Sequence, residues 1–226
     1  MGEMITLTAD DGHRLGAYRA APQGAPRAGL VVIQEIFGVN GHIERVTDGF
    51  AADGYLALAP ALFDRVEPGF ATGYTPQDVE RGRAVRAKIG FDTLVMDTAA
   101  AVKALAGPGA PTAKLGVVGY CMGGSLAWLA ATRIPGLACA VGYYGGAIAE
   151  HVEERPRCPV LLHFGETDHA IPPDHWEKIR AAHPAVPLHV YPAGHGFNCD
   201  ERGSYHEPSA RLARERTLAF LRQHLG

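Results

Sequence analysis

Five consecutive residues constrain the fold of this chain more than any others: Gly119-Tyr120-Cys121-Met122-Gly123. An apolar run, Lys114 to Val118, precedes them and reads as a buried strand. An Ala-rich apolar run, Ser125 to Thr132, follows and reads as a helix. A strand, a tight Gly-x-nucleophile-x-Gly turn and a helix together are the context of a nucleophile elbow. There a sharp turn holds one side chain strained and exposed at the top of a sheet. The glycines matter because a Cβ at either would crowd the bend. The residue at the tip is Cys, which predicts thiolate chemistry, with the helix N-terminus helping to hold the negative charge.

The surrounding chain has the pattern that such a turn requires. The first twenty residues read as two short strands around Asp10-Asp11-Gly12. Gly29 to Gln34 is a continuous apolar run, suited to a strand buried on both faces. His42 to Asp53 has helical spacing, Tyr55 to Ala59 is a strand, and residues 61 to 75 read as an irregular loop. Pro76 to Lys88 is a polar helix and Asp92 to Leu105 a second helix. Ala138 to Tyr144, Val160 to Phe164 and Leu188 to Tyr191 are strands, Pro173 to Ala182 is a helix, and Pro208 to Leu225 is a closing amphipathic helix. Strand and helix alternating in this way predict an α/β fold, a mostly parallel sheet with helices on both faces. No repeat or linker divides the pattern, so residues 1–226 are expected to form one domain.

Composition narrows the class of function. A hydrophobic content of 47% over 226 residues is that of a globular protein with a full core. A net charge of -3 gives no electrostatic case for nucleic acid or an anionic membrane as partner. No apolar stretch reaches the roughly 18 residues that span a bilayer. The N-terminus, Met1-Gly2-Glu3-Met4, lacks the basic and apolar regions of a signal peptide. The four cysteines (121, 139, 158 and 199) are too few and too scattered for a disulfide framework. A reduced, cytoplasmic protein is expected, with Cys139 and Cys158 as inert core residues, and a monomer suits the composition.

In parallel sheets chemistry collects at the carboxyl ends of the strands. Downstream of the elbow, the strand Val160–Phe164 runs into Gly165-Glu166-Thr167-Asp168, and Leu188–Tyr191 runs into Pro192-Ala193-Gly194-His195. The order is nucleophile, carboxylate, histidine, each on a loop after a strand, which is the order of the α/β-hydrolases. A thiol needs a base, and imidazole has a suitable pKa. The imidazole in turn needs a carboxylate on its other nitrogen, to fix its tautomer and stabilise its cation. Asp168 alone reads as a turn residue, and His195 alone as one loop histidine among eleven. Three such residues on three appropriate loops in the required order read as a triad, Cys121–Asp168–His195.

These residues, with Gln34-Glu35-Ile36-Phe37-Gly38-Val39-Asn40, Gly142-Tyr143-Tyr144-Gly145 and Gly124, resemble the dienelactone hydrolase family of α/β-hydrolases. The resemblance runs from the Asp11-Gly12 turn to Glu215-Arg216-Thr217-Leu218. It implies an α/β-hydrolase fold and hydrolysis of a small-molecule lactone or carboxylic ester through a thioester on Cys121, with no cofactor. It also implies that Glu35 contacts the nucleophile thiol and accepts its proton, and that the backbone N–H groups of Ile36 and Met122 form the oxyanion hole. The family binds a carboxylate-bearing lactone through arginines. Arg81 is the match by position, with Arg83 and Arg86 close by, and Phe37, Tyr143 and Tyr144 are expected to line the pocket. The chain departs from the family in two places. A second substrate arginine belongs a few residues after the histidine, where this chain reads Gly196-Phe197-Asn198-Cys199-Asp200, with Arg202 slightly further on. Lys88 stands roughly where an aromatic residue belongs.

Three other readings compete. A glutamine amidotransferase places its acid two residues beyond the His, and that position here is Phe197. A non-catalytic module using a reactive thiol has no need of His195 and Asp168. A metal site would draw on His163, His169, His175, His183, His189, His195, His206 and Cys199. Their spacing of about six residues contains no compact ligand pair, so no metal is expected.

Overall fold

The direction in which each crossover runs decides where the chemistry of this fold collects. The computed structural model describes residues 2–107 and 114–226. Its strands are β1 (Glu3–Thr8), β2 (Arg14–Ala20), β3 (Gly29–Ile33), β4 (Leu56–Pro60), β5 (Leu115–Tyr120), β6 (Leu137–Tyr143), β7 (Val160–Gly165) and β8 (Leu188–Tyr191). They form one sheet in the order β1-β2-β4-β3-β5-β6-β7-β8. β1 pairs with β2, and β2 with β4, antiparallel, while β3 to β8 run parallel. The central strands β3, β4 and β5 are buried at every residue. This is why they read as continuous apolar runs rather than alternating ones.

Helices α1 (Gly41–Ala52), α2 (Pro76–Arg86), α3 (Phe91–Leu105), α4 (Met122–Arg133), α5 (Pro173–Ala182) and α6 (Glu207–Leu225) connect and close the sheet. From β3 the chain crosses one way, through α1 to β4; from β5 it crosses the other way, through α4 to β6. Right-handed crossovers in opposite directions put α1 and α4 on opposite faces. α6 joins α1 through Arg214, whose Nη2 donates to Asp53 Oδ2 at 2.5 Å and whose guanidinium covers Phe50. The strand order reverses between β3 and β5, so their carboxyl ends leave a crevice at that switch point, where ligands bind in open α/β sheets. The loop after β3 carries Glu35, Ile36 and Phe37, and the loop after β5 is the elbow.

Most elements lie where the sequence places them, and the differences have physical causes. Helix α4 begins at Met122, not at Ser125, so Gly123 and Gly124 belong to its first turn. A Cβ on Gly123 would strike the Ile33 and Gln34 carbonyls, and one on Gly124 the Tyr143 carbonyl. Close packing of this helix on the sheet therefore requires two residues that are poor helix formers. The segment 61–75 contains a short 3-10 helix, Leu62–Arg65. It is tied down by Arg65, which bonds Asp97 at 2.7 Å and Asp11 at 2.8 Å. A second 3-10 helix, Gly146–His151, follows β6. Among the described residues, no helix is long and apolar enough to cross a membrane.

Candidate active site

Cys121 sits at φ 56, ψ -115, backbone that L-residues rarely adopt and that costs on the order of 1–3 kcal/mol. Its surroundings hold it there. The Cys121 N–H donates to the Tyr143 carbonyl at 3.0 Å, and the Cys121 carbonyl accepts from the Gly124 N–H at 2.9 Å. A Cβ on Gly119 would meet the Gly123 carbonyl, so only glycine lets the strand fold back on the helix. The sulfur thus projects from the elbow at the N-terminus of α4, where the helix dipole favours a thiolate.

His195 reaches the same rim from the loop after β8. Its Nε2 lies 3.1 Å from Cys121 Sγ, and its Nδ1 lies 2.7 Å from Asp168 Oδ2. Asp168 is buried and hangs from the loop after β7, where its Oδ1 also accepts the Ala170 N–H at 2.9 Å. Burial alone lowers the pKa of His195. The Cys121 sulfur and Asp168 outweigh it, and the pKa is lifted to about 10. The three side chains thus favour imidazolium beside sulfur. The Tyr144 ring, 5.2 Å from that of His195, backs the imidazole.

A cleft of about 290 Å³ opens over Cys121 and His195, lined by Ile36, Phe37, Met122 and Ile171 among others. The Met122 N–H is at the first position of α4, where a helix has no acceptor of its own to offer. Ile36 faces it across the switch point, and the buried Gly82 of α2 packs directly on the Ile36 carbonyl. A larger groove of about 620 Å³, lined by Pro156, Pro187 and Phe220, contains none of the candidate residues.

The basic groups lie differently from the expectation. Arg81 is exposed, stacks over Phe70 and pairs with Glu67, outside the cleft. Helical periodicity gives the reason. Val79, Arg83 and Arg86 are spaced i, i+4, i+7 and share the face that lines the cleft, whereas Arg81 is about 200° around from Val79. Arg86 is half-buried over Phe91 at 4.2 Å and donates to the Ile89 carbonyl at 2.5 Å; burial lowers its pKa. Among the described residues neither Arg83 nor Arg86 forms an ion pair, whereas Arg202 also lines the cleft and is already paired.

Three further expectations change. The buried Glu35 bonds Arg202 Nη1 through Oε1 at 3.0 Å, and the sulfur's hydrogen-bond partner is His195 rather than Glu35. Burial lowers the Arg202 pKa, but Glu35 and Cys121 beside it raise it overall, so the guanidinium stays charged. Tyr143 is buried with its hydroxyl 2.6 Å from Thr217 Oγ1, and it borders a cleft on the α6 side instead of the one over Cys121. Tyr144 is fully buried behind His195 and does not line the cleft. The expected aromatic at Lys88 has a counterpart three residues on, in Phe91 at the cleft wall. Arg202, slightly beyond the stretch where the family's second arginine is expected, does reach the cleft. Its signal is Gly196, at φ 77, where a Cβ would strike the guanidinium.

Comparison with known proteins shows the family. The dienelactone hydrolase family model matches residues 15–225. Carboxymethylenebutenolidases of Pseudomonas putida and Pseudomonas knackmussii are each 36% identical over 97% of this chain and 95% of theirs. A solved structure of a Klebsiella pneumoniae protein, provisionally named a dienelactone hydrolase, superposes with a TM-score of 0.83 at 32% identity, covering 98% of this chain and 99% of that one. A Pyrococcus furiosus esterase, at 16% identity and TM-score 0.76 over 100% of this chain and 93% of its own, shares the fold. The chain belongs to the dienelactone hydrolase family and is a hydrolase of that type.

Proposed function

We propose that this hydrolase cleaves a small lactone or carboxylic ester through a thioester on Cys121. The observation that carries the reading is the unbroken line from sulfur to imidazole to carboxylate, at 3.1 Å and 2.7 Å. Cys121 Sγ attacks the carbonyl carbon, and the oxyanion that forms is held by the N–H groups of Ile36 and Met122. The C–O bond breaks, and the alkoxide takes the proton from His195 Nε2. His195, now neutral, removes a proton from water, which attacks the thioester; the acid is released and the sulfur returns. Covalent catalysis divides one hard step into two easier ones. In a lactone the alkoxide stays tethered to the acyl group and can itself take up the proton.

The substrate class follows from the charge on the walls. Arg83, Arg86 and Arg202 border a cleft whose other walls are largely apolar, which suits a small acyl group bearing a carboxylate. A substrate carboxylate at Arg202 competes with Glu35 for the same guanidinium. Four free cysteines, one of them reactive, fit a reducing cytoplasm, and the substrate site needs no second subunit.

The test is a panel of lactones and aryl esters with and without a free carboxylate. Cys121→Ser is expected to abolish turnover, and mass spectrometry of the wild type to find an acyl adduct on Cys121. Arg86→Ala is expected to remove the preference for a carboxylate and Arg81→Ala to leave it. Turnover unchanged in Cys121→Ser rejects the nucleophile; a flat panel rejects the anion subsite.

A further inference from the structure

Behind Arg202, away from the cleft, three buried groups converge that the proposed hydrolysis does not use together. Glu35, His42 and Cys199 place one donor atom each within 4.8 Å of one another, the only such trio among the described residues. They come from the loop after β3, from the start of α1 and from the loop that follows His195. Two of the donors have no partner. Glu35 Oε1 is taken by Arg202 while Oε2, buried, accepts nothing, and His42 Nε2, also buried, bonds nothing. An unsatisfied buried polar atom costs about 1–3 kcal/mol, and here two face one small space.

The surroundings are those of a ligating histidine. His42 Nδ1 lies 3.3 Å from Asp200 Oδ1, a carboxylate that is 58% exposed at the surface. A proton on Nδ1 shared with that carboxylate leaves the lone pair on Nε2, pointing inward. Carboxylate, imidazole and metal in line is the usual outer support of a metal-bound histidine. Cys199 is fully buried, and burial disfavours a thiolate that has no cation beside it. Without a cation the thiol therefore stays protonated. A divalent ion there displaces that proton. The S–H bond breaks, a metal–sulfur bond forms and one proton leaves to solvent.

We propose that Glu35 Oε2, His42 Nε2 and Cys199 Sγ bind one zinc-like divalent cation. Sulfur, imidazole nitrogen and carboxylate oxygen are the zinc donor set. Two anionic ligands and the Asp200 carboxylate beside them stand against the ion's two charges and the one on Arg202. A tetrahedral ion with bonds of about 2.0–2.3 Å sets its donors roughly 3.3–3.8 Å apart. The widest pair therefore closes by at most about 1.5 Å. Ions enter beside His42, Asn198 and Asp200, which line an open cleft on the α6 side. The occupied site pins Glu35 beside Arg202, so a substrate carboxylate no longer displaces it from that guanidinium. Zinc is therefore an inhibitor of this hydrolase rather than its cofactor.

Cobalt(II) is the probe, because thiolate ligation gives it a charge-transfer band in the near ultraviolet. The Cys121→Ser protein is titrated first, so that the reading does not depend on hydrolysis and the nucleophile cannot supply the sulfur. One equivalent of cobalt is expected to bind with that band, and one proton to be released. Cys199→Ser is expected to remove the band, and Asp200→Asn, a surface change that leaves folding intact, to weaken binding about tenfold or more. In wild-type enzyme zinc is expected to inhibit at the same stoichiometry, and Cys199→Ser to relieve the inhibition while retaining turnover. Absence of saturable one-to-one binding overturns the site. So does a band that persists in Cys199→Ser, or one that Cys121→Ser abolishes. Failure of the thioester mechanism leaves the cobalt titration unchanged, so the two proposals fail separately.

Discussion

His195 and His163 stand at the same end of the sheet and have opposite electrostatic fates. His163 is fully buried in β7, with Nδ1 2.8 Å from the Tyr191 hydroxyl and Nε2 3.1 Å from Thr217 Oγ1. Burial, helped by the neighbouring His189 and Arg216, drives its pKa well below 6.5. His195 is also largely enclosed, yet its pKa is lifted to about 10. Both rings are desolvated, so burial does not separate them. Their partners do. His163 touches two neutral hydroxyls, and the Arg216 guanidinium already donates to Tyr191 Oη at 3.1 Å. Tyr191 then has its own proton to give to His163, and a second ring proton would meet a donor. His195 touches a carboxylate on one side and a sulfur on the other, and both favour a charged ring.

Asp168→Asn tests the difference most severely. It keeps the shape and removes the charge that fixes the His195 tautomer. By analogy with serine hydrolases, where this change costs about 10⁴-fold, kcat is expected to fall by roughly three to four orders of magnitude. The imidazole titration of His195, followed by NMR, is expected to move down from about 10 toward its ordinary value. A titration that stays put would mean the carboxylate does not hold the charge. Leucine at 163 is the counterpart. His163→Leu is expected to leave kcat within about twofold while destabilising the fold by about 1–3 kcal/mol, because Tyr191 and Thr217 lose a buried partner. Chemical denaturation measures the second effect and steady-state kinetics the first. A large fall in kcat would place His163 in the machinery after all.

The same contrast explains what was legible in the sequence. Cys121, Asp168 and His195 were found because each follows a strand, and strand order is a one-dimensional pattern. The elbow was legible because Gly119 and Gly123 answer to backbone crowding within five residues. His163 reads as a residue inside a strand, but its neutral state is not legible, since its partners Tyr191 and Thr217 come from β8 and α6. Arg81 was chosen by chain position. Helical rotation, which the sequence also carries, favours Arg83 and Arg86. The trio of Glu35, His42 and Cys199 could not be read from ligand spacing, because two loops and the start of α1 bring it together from distant parts of the chain. Local chemistry thus points to the line from Cys121 to Asp168, while anything that depends on which strands become neighbours has to wait for the sheet.

The contrast extends to the pH dependence of stability, where its sign is opposite for the two histidines. Both unfolded rings titrate near 6.5. For His195 the folded ring keeps its proton up to about 10, so between 6.5 and about 10 the folded state binds more protons than the unfolded one. Stability from this group is complete below 6.5 and is lost as pH rises through that window. For His163 the folded ring refuses the proton, so below 6.5 the unfolded state binds more. Its stability is complete above 6.5 and is lost as pH falls. Urea midpoints measured from acid to alkaline pH are expected to dip at both ends in the wild type. His195→Gln should flatten the alkaline limb alone, and His163→Gln the acid limb alone. Titrating groups out of contact with the substituted ring cancel in each comparison with the wild type. If both substitutions flatten the same limb, the two rings are coupled through the tyrosines between them, and partner identity no longer explains why one is charged and the other is not.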